Sequence, residues 1–272
     1  TVVDPGLTIT SDGTIAGFTV QITGSYTSGD ILSYTGSLPA GISAGSFNTT
    51  SKSIQFTGTT DAASWQAFLR TVTLQTASAT CYPEQRQVSF IAGAKFYNPL
   101  NGHFYQLSPT QTDWTTGFTN ANNSSYFGRQ GYMVTITSAA ENSFVSKILA
   151  SDSWIGCSDH YTYINAATGT NTYTSQGGSY NAGISTQSEG LWYWVTGPEK
   201  GTLFTRGNWQ DNRQVVNGNY NSWNSGEPNN YGGSEDYGEI YVASGNWNDL
   251  GGTQGYYTIV EYGGMSTDNT SA

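Results

Sequence analysis

The chain has 272 residues, of which 36% are hydrophobic, 14% are aromatic and only 10% are charged. Since Ser, Thr, Asn and Gln must supply most of its polarity, the composition favours strands and turns over helices with charged surfaces. A formal net charge of −10 opposes binding to nucleic acid and to anionic membranes, and no segment is apolar for long enough to suggest membrane insertion. We therefore expect a β-rich protein whose charged partners are cations.

Residues 1–95 predict an all-β sandwich that one short helix interrupts. Hydrophobic residues alternate with polar ones in GFTVQITG, where Phe18, Val20 and Ile22 share one face, and again in SIQFTG. Each pattern predicts a strand that is buried on one face only. Asp61 is suited to cap the short helix, because apolar residues at helical spacing follow it.

This first half resembles the cadherin-like or Ig-like repeats of large bacterial surface proteins. The resemblance rests on VDPGLTI, on GFTVQITGSY and on the longer segment FTGTTDAASWQAFLRTVTLQT. These segments share a pattern of hydrophobic residues but hold no chemical motif. The resemblance therefore implies a structural spacer and no further activity.

A second, α+β domain is predicted over residues 96–264, after a segment rich in Gly, Pro and Asn in which the alternation ends. Its first helix is predicted where Trp114, Phe118 and Ala121 form one apolar stripe. The motif SAAE at residues 138–141 is a capping box and predicts the start of a second helix. Antiparallel strands and a long loop region are expected to follow these two helices.

Two segments of this half lack a hydrophobic pattern. Residues 160–188 consist mainly of Gly, Ser, Thr, Asn and Tyr, and we interpret them as a loop insertion. Residues 265–272 are polar and predict a disordered tail. The two cysteines, Cys81 and Cys157, either form one disulfide or stay as buried thiols, and their number and spacing are compatible with both.

Residues 221–250 concentrate acidic and amide side chains in a chain that is otherwise poor in charge. They are Glu227, Asn229, Asn230, Glu235, Asp236, Glu239, Asn248 and Asp249. No Lys or Arg follows Arg213 in the sequence, so we expect basic residues not to balance this charge. A solvated acidic loop is one interpretation. The other is a bound Ca²⁺, because carboxylate and amide oxygens are the ligands that this ion prefers.

The same stretch resembles the C-type lectin family. The resemblance rests on GEPNN, SEDY, GNWNDL and the closing YTIVEYGG, with GYMVTITSAAENSFV, SWIGCSD and EGLWYWVTG before them in the family's order, and it covers about residues 101–264. Glu227 and Glu235 have the family's usual separation, and WND follows at the expected distance. The resemblance implies a binding domain rather than an enzyme.

The resemblance also implies two Ca²⁺ sites. The residues that match the principal, sugar-binding site are Glu227, Asn229, Glu235, Asn248 and Asp249. Pro228 matches a proline whose preceding peptide bond is cis. The residues that match a second, structural Ca²⁺ site are Asp159, Glu189, Asn230 and Asp236. At that site an Asn stands where the family more often has Asp, and the insertion separates the first two ligands.

Sugar choice follows from the motif Glu-Pro-Asn, which in this family accompanies glycans with vicinal equatorial hydroxyls, such as mannose, glucose and fucose. Carboxylates accept from the sugar hydroxyls and amides donate to them, so the order of the two around the ion encodes specificity. Tyr231 either packs against a sugar face or braces the loop. Large aromatic residues are usually buried, so we expect a set of tryptophans in the core. They are Trp154, Trp192, Trp194, Trp209, Trp223 and Trp247.

Several functions are compatible with this pattern. The first is a lectin that forms one segment of a larger extracellular, cell-surface adhesin. The alternative is a module of the same fold that binds a protein or another non-sugar surface such as ice, with Ca²⁺ serving structure only. A glycosidase that uses Glu227 and Glu235 is disfavoured, because carboxylates that bind a divalent cation cannot also cycle a proton. The chain lacks the family's usual cysteines; in SEDY, for example, Tyr237 stands where the family has a cysteine. Versions of the fold that are poor in cysteine are typical of bacterial surface proteins.

Overall fold

The computed structural model describes residues 1–11, 13–76 and 85–268, and the chain divides into two compact units, Thr1–Gly102 and His103–Ala272. The elements of the first unit are β1 (Ile15–Gly24), β2 (Ile31–Tyr34), β3 (Ser43–Ala44), β4 (Ser53–Thr60), α1 (Ala62–Leu69), β5 (Val72–Gln75), β6 (Gln87–Ala92) and β7 (Phe96–Asn98). Four strands form an antiparallel sheet in the order β3-β4-β1-β6, and β2 pairs with β5. The cadherin-like or Ig-like assignment stays a prediction.

The two alternating segments form β1 and β4, and Val20 of β1 lies opposite Ile54 of β4. The prediction of one buried face is wrong for β1, because Thr19 and Gln21 on its other face are also buried. Gln21 satisfies its amide there by donating to the carbonyl of Tyr97 at 3.2 Å and accepting from its N–H at 3.1 Å. Polar residues thus lie inside this unit without unpaired groups at this position.

Helix α1 begins where it was predicted. The Asp61 carboxylate accepts a hydrogen bond from the backbone N–H of Ser64 at 2.8 Å and so caps the first turn. Trp65, Phe68 and Leu69 are buried in the core of the unit. The helix therefore contacts the sheet residues through its apolar face, as the helical spacing of these three residues predicted.

The second unit holds the remaining elements. They are β8 (His103–Leu107), α2 (Trp114–Asn122), β9 (Ser125–Tyr126), β10 (Arg129–Met133), α3 (Ala139–Ile148), β11 (Ser153–Ser158), α4 (Tyr161–Thr168), β12 (Leu191–Trp194), β13 (Leu203–Arg206), β14 (Gln214–Val215), β15 (Tyr237–Ile240), β16 (Trp247–Leu250) and β17 (Tyr257–Tyr262), with short 3₁₀ helices at Trp209–Asp211 and Tyr231–Gly233. The main sheet runs β14-β13-β12-β11-β17-β10-β9. β8 pairs with β17, and the β15–β16 hairpin attaches to β11. β11 and β17 are parallel, whereas the other pairs are antiparallel.

Helices α2 and α3 confirm the two helix predictions. Asp113 caps α2, and the Ser138 hydroxyl accepts from the N–H of Glu141 at 3.2 Å at the start of α3. The interpretation of residues 160–188 as a loop is wrong for its first part, which forms α4. His160 caps α4, and Gly169 ends it in the left-handed conformation.

The core of the second unit is rich in aromatic rings. Five of the six tryptophans predicted in the core are buried: Trp154, Trp192, Trp194, Trp223 and Trp247. The prediction is wrong for Trp209, whose residue surface is 52% exposed. Its ring lies on a 3₁₀ helix outside the sheet, so no second layer covers it.

Cys157 is buried in β11 and is not part of a disulfide. Cys81 lies outside the described residues. The predicted tail starts at residue 265, yet Asp268 accepts hydrogen bonds from the N–H groups of Gln130 and Met265, so residues 265–268 are held against the unit. Residues 269–272 lie outside the described ranges. Within those ranges no helix has the length and apolar character needed to cross a membrane.

Candidate functional site

The β15–β16 hairpin presents the acidic end of the predicted site. Glu239 lies opposite Asn248, and Gly238 lies opposite Asp249. Gly238 permits this placement, because a Cβ atom there would collide with the Sγ atom of Cys157 in β11. The hairpin is therefore held tightly against the sheet, and Asp249 is fully buried.

Asp249 ties the loop that follows Glu227 to this hairpin. Its carboxylate accepts hydrogen bonds from the backbone N–H of Asn229 at 2.9 Å and of Asn230 at 2.7 Å. The peptide bond between Glu227 and Pro228 is cis, as the resemblance implied. The Glu-Pro-Asn segment and Asp249 are therefore neighbours in space, although 20 residues separate Asn229 from Asp249.

Glu235 closes the same loop from its other end. One of its carboxylate oxygens accepts from the N–H of Tyr231 at 2.8 Å, and its own N–H donates to the side-chain oxygen of Asn230 at 3.1 Å. Asn230 adopts a left-handed backbone, with φ of 47°, which an Asn tolerates better than most residues. These bonds hold Asn230, Tyr231 and Glu235 in one compact turn.

Two buried oxygen atoms of this loop have no hydrogen-bond partner among the described residues. They are Oε2 of Glu227 and Oδ1 of Asn229, on either side of Pro228. Buried polar atoms are almost always paired, so these two oxygen atoms are the candidates in this loop for binding a ligand. Oxygen atoms from a carboxylate and an amide fit a hard cation such as Ca²⁺.

The electrostatics of the site agree with this fit. Burial, together with the charge of Asp249, raises the pKa of Glu227 to about 7, and burial raises the pKa of Glu235 to about 7. Burial also raises the pKa of Asp249. Carboxylates with raised pKa values lack sufficient positive charge around them. Within the described ranges no group of three or more Asp, Glu, His or Cys side chains is arranged to hold a metal ion.

Arg213 corrects one expectation about charge. Its guanidinium interacts electrostatically with Glu227, although burial lowers the pKa of Arg213. The expectation that no basic residue balances the acidic stretch considered only the residues after Arg213, whereas the fold brings this side chain back to the loop.

Asn248 is positioned by Glu239, which belongs to the acidic stretch but is not one of the predicted ligands. Its Nδ2 donates to Oε1 of Glu239 at 2.9 Å, and both residues are buried. The other carboxylate oxygen of Glu239 has no partner among the described residues, and burial raises the pKa of Glu239 to about 7. The contact between Glu239 and Asn248 could have been predicted, because pairing of β15 with β16 places these two residues opposite each other.

The second predicted set of ligands is only partly brought together. Asp159 and Glu189 share one partner, the side chain of Gln176, and the charge of Asp236 acts on both. The backbone carbonyl of Asp236 accepts from the Ser158 hydroxyl at 2.7 Å. The fourth residue, Asn230, uses its side-chain oxygen in the Glu235 turn. Gln176 was not identified from the sequence.

Two exposed aromatic rings border the Glu-Pro-Asn loop. Tyr231 is 81% exposed, so most of its surface is in contact with solvent. The N–H of Trp209 donates to the carbonyl of Pro228 at 2.7 Å, so the 3₁₀ helix that carries this ring is attached to the loop. The guanidinium of Arg213 lies 5.9 Å from the centre of the Trp209 ring.

Comparison with known proteins shows similarity to one long protein and to several solved structures. Halomucin of Haloquadratum walsbyi is 34% identical over 217 residues, which cover 78% of this chain but only 2% of halomucin. The C-type lectin CEL-I from Cucumaria echinata is similar with a TM-score of 0.39 and 20% identity, over 59% of this chain and 90% of that one. A calcium-independent type II antifreeze protein has a TM-score of 0.35 and 18% identity, over 58% of this chain and 85% of that one. No protein-family model matches the chain.

Proposed function

We propose that residues 96–264 form a C-type lectin-like domain that binds Ca²⁺ and, through it, a glycan. The observation that carries the proposal is the pair of buried, unpartnered oxygen atoms, Oε2 of Glu227 and Oδ1 of Asn229. The hydrogen bonds to Asp249 support it, because they hold the Glu-Pro-Asn loop beside a third ligand. Glu235 and Asn248 complete the proposed set.

A Ca²⁺ ion bound there would supply open coordination positions for two vicinal hydroxyls of a sugar. The chain supplies the rest of the recognition. The Glu227 carboxylate only accepts hydrogen bonds, whereas the Asn229 amide also donates. A sugar hydroxyl can therefore donate to the carboxylate and accept from the amide. Glu-Pro-Asn in this order supports mannose, glucose or fucose as the ligand.

The exposed rings of Tyr231 and Trp209 extend this site. Each is joined by its backbone N–H to a residue of the loop region, at 2.8 Å to Glu235 and at 2.7 Å to Pro228 respectively. Aromatic faces pack against the apolar faces of sugar rings, and their own burial on binding contributes to affinity. We propose that at least one of the two rings contacts the glycan.

The direct test is a glycan array probed with the intact chain in calcium and in EDTA. The expected result is retention on mannose-type or fucose-type glycans in calcium, loss in EDTA, and elution by free mannose but not by free galactose. Retention on no glycan, or retention that EDTA does not change, would contradict the proposal. The non-sugar alternative predicts calcium-dependent folding without elution by any monosaccharide.

We further propose that the chain is one segment of an extracellular adhesin, with residues 1–95 as its spacer. The similarity to a small segment of a far longer protein supports a place within a multidomain chain. The test is proteolysis of intact source cells followed by detection with an antibody against this segment. Cleavage of the segment on intact cells is expected, and full protection until lysis would contradict the proposal.

A further inference from the structure

The side chain of Gln176 lies between two carboxylates that the family resemblance assigns to a second Ca²⁺ site. Its Nε2 donates to Oδ1 of Asp159 at 3.0 Å and to Oε2 of Glu189 at 3.5 Å. Asp159 and Glu189 are both buried. One amide nitrogen therefore links the two acidic side chains.

The orientation of this amide is determined by its other end. Oε1 of Gln176 lies 3.3 Å from the backbone N of Tyr161 and accepts from the Ser188 hydroxyl at 3.0 Å. A backbone N–H can only donate, so the atom that faces Tyr161 is the oxygen and the NH₂ group faces the carboxylates. Both hydrogens and both lone pairs of the amide are thus used.

The remaining oxygens of the two carboxylates also have donors. Oδ2 of Asp159 accepts from the N–H of Gly190 at 2.8 Å, and Oε1 of Glu189 accepts from Nδ2 of Asn208 at 2.9 Å. All the side-chain oxygens of Asp159 and Glu189 therefore have an N–H partner. The loop around Glu227 differs in two atoms, because Oε2 of Glu227 and Oδ1 of Asn229 are buried there without a partner among the described residues, although both carboxylate oxygens of Asp249 accept N–H bonds.

The backbone fixes Gln176 in this position. The N–H of Glu189 donates to the carbonyl of Gln176 at 2.8 Å, and the N–H of Ser188 donates to the carbonyl of Ser175 at 3.2 Å. The residues that follow α4 are therefore attached to the strand-like stretch that leads into Glu189. Gln176 belongs to the inserted segment, and folding of that segment places its amide between Asp159 and Glu189.

We propose that Asp159 and Glu189 do not hold a Ca²⁺ ion and that the amide of Gln176 occupies the place of the ion between them. The donor set does not fit a second cation, since an ion at that point would have to displace the NH₂ group that both carboxylates bind. Oδ1 of Asp236 and Oδ1 of Asn208 remain without a partner among the described residues, but two open oxygens are far from the six or more that Ca²⁺ takes. The expected total of one ion per chain rests on the proposed function at Glu227. The proposal that Gln176 takes the place of a second ion does not depend on that function.

Counting the bound ions of the wild-type chain and of Asp159→Asn, by equilibrium dialysis and elemental analysis, tests the proposal directly. Equal counts are expected, with one ion in each. Loss of an ion in Asp159→Asn would overturn the proposal. A count of zero in both chains would contradict the Glu227 site and leave the Gln176 assignment supported, so the two failures are distinguishable.

The variant Gln176→Glu reverses the role of the side chain, because a third carboxylate then lies between the other two. In EDTA we expect its melting temperature to fall by about 4 °C or more relative to the wild type. Calcium should restore the melting temperature and raise the number of bound ions by one. Gln187→Glu is the matched control, since it adds the same charge in the same segment but lies against Gly177 instead. A Gln176→Glu variant that behaves like this control in EDTA would overturn the proposal.

Discussion

The backbone N–H of Trp209 donates to the carbonyl oxygen of Pro228 at 2.7 Å. This bond joins the one exposed tryptophan to the loop of the proposed ligand site, whereas the other seven tryptophans of the chain, all among the described residues, are buried. With Tyr231, Trp209 is one of two exposed aromatic rings beside this loop, and Trp and Tyr are enriched at interfaces. Its position is fixed by the backbone and does not depend on its ring.

Trp209→Ala should therefore weaken glycan binding without unfolding the chain. We expect the affinity to fall about threefold to tenfold, because one aromatic contact is worth about 0.7 to 1.4 kcal/mol. Isothermal titration with a mannose oligosaccharide in calcium measures the effect. Phe127→Ala is the control, since this ring is also exposed but has no hydrogen bond to the loop among those of the described residues. Equal affinities for both variants and the wild type would show that Trp209 is not a sugar contact.

The exchange of Glu227→Gln with Asn229→Asp should change the sugar that is bound. It preserves the number of oxygens and one negative charge at the proposed ion, but it reverses donor and acceptor at each sugar hydroxyl. An unpaired buried group costs about 1 to 3 kcal/mol, so mannose affinity should fall roughly tenfold to a hundredfold while galactose binding rises. Titrations with both sugars and with calcium measure this. Unchanged affinities for calcium and mannose together would exclude these residues as sugar contacts.

Glu239 should act on calcium binding through Asn248, which donates to it at 2.9 Å. Removing a residue that orients a metal ligand typically weakens metal affinity about tenfold to a hundredfold, and we expect this of Glu239→Leu. Glu239→Gln retains an oxygen that accepts from Asn248 and should keep most of the affinity. Calcium titration of both variants is the measurement. Equal losses in the two would mean that the charge of Glu239, not its hydrogen bond, is what matters.

The calcium-free chain should be less stable at about pH 8 than at about pH 5. Burial raises the pKa of Glu227, Glu235 and Glu239 to about 7, whereas unfolded carboxyls lose their protons near pH 4.3. Between these values the native state binds more protons than the unfolded state, so the free energy of unfolding decreases as the pH rises. In EDTA the melting temperature should be higher at about pH 5 than at about pH 8.

Tryptophan fluorescence suits this measurement, because Trp65 is the only one of the eight tryptophans outside the second unit. Saturating calcium serves as the control. The ion binds the deprotonated carboxylates, so the stabilisation that it adds should increase with pH. A melting temperature in EDTA that rises from pH 5 to pH 8 would show that the site is not short of positive charge.

Local signals made part of this fold and site predictable. Asp61 and Ser138 cap their helices through residues three positions away, and the Glu-Pro-Asn motif specifies its turn within a few residues. Such features depend on neighbours in the sequence, which a single chain displays directly. The resemblance placed Asn229 and Asp249 at one site, whereas it assigned Asn230, the other partner of Asp249, to the second site.

The remaining features depend on contacts between distant segments. Helix α4 was missed because His160 is not a usual capping residue and because Ile164 is its one buried residue among those described. The place of Gln176 was not predictable, since it lies in a segment without a hydrophobic pattern and its partners are 17 and 13 residues away. Trp209 was predicted as core because large rings usually are, and no sequence signal marks a ring that the sheet leaves uncovered.

The buried thiol of Cys157 has a practical consequence. It is the one cysteine of the second unit, so this unit can form no internal disulfide, and burial raises the pKa of its thiol well above the usual range. A thiol in that state reacts slowly with oxidants and alkylating agents. The domain should therefore be indifferent to redox conditions: dithiothreitol should leave its unfolding transition unchanged, and a reducing cytoplasm should produce it correctly folded.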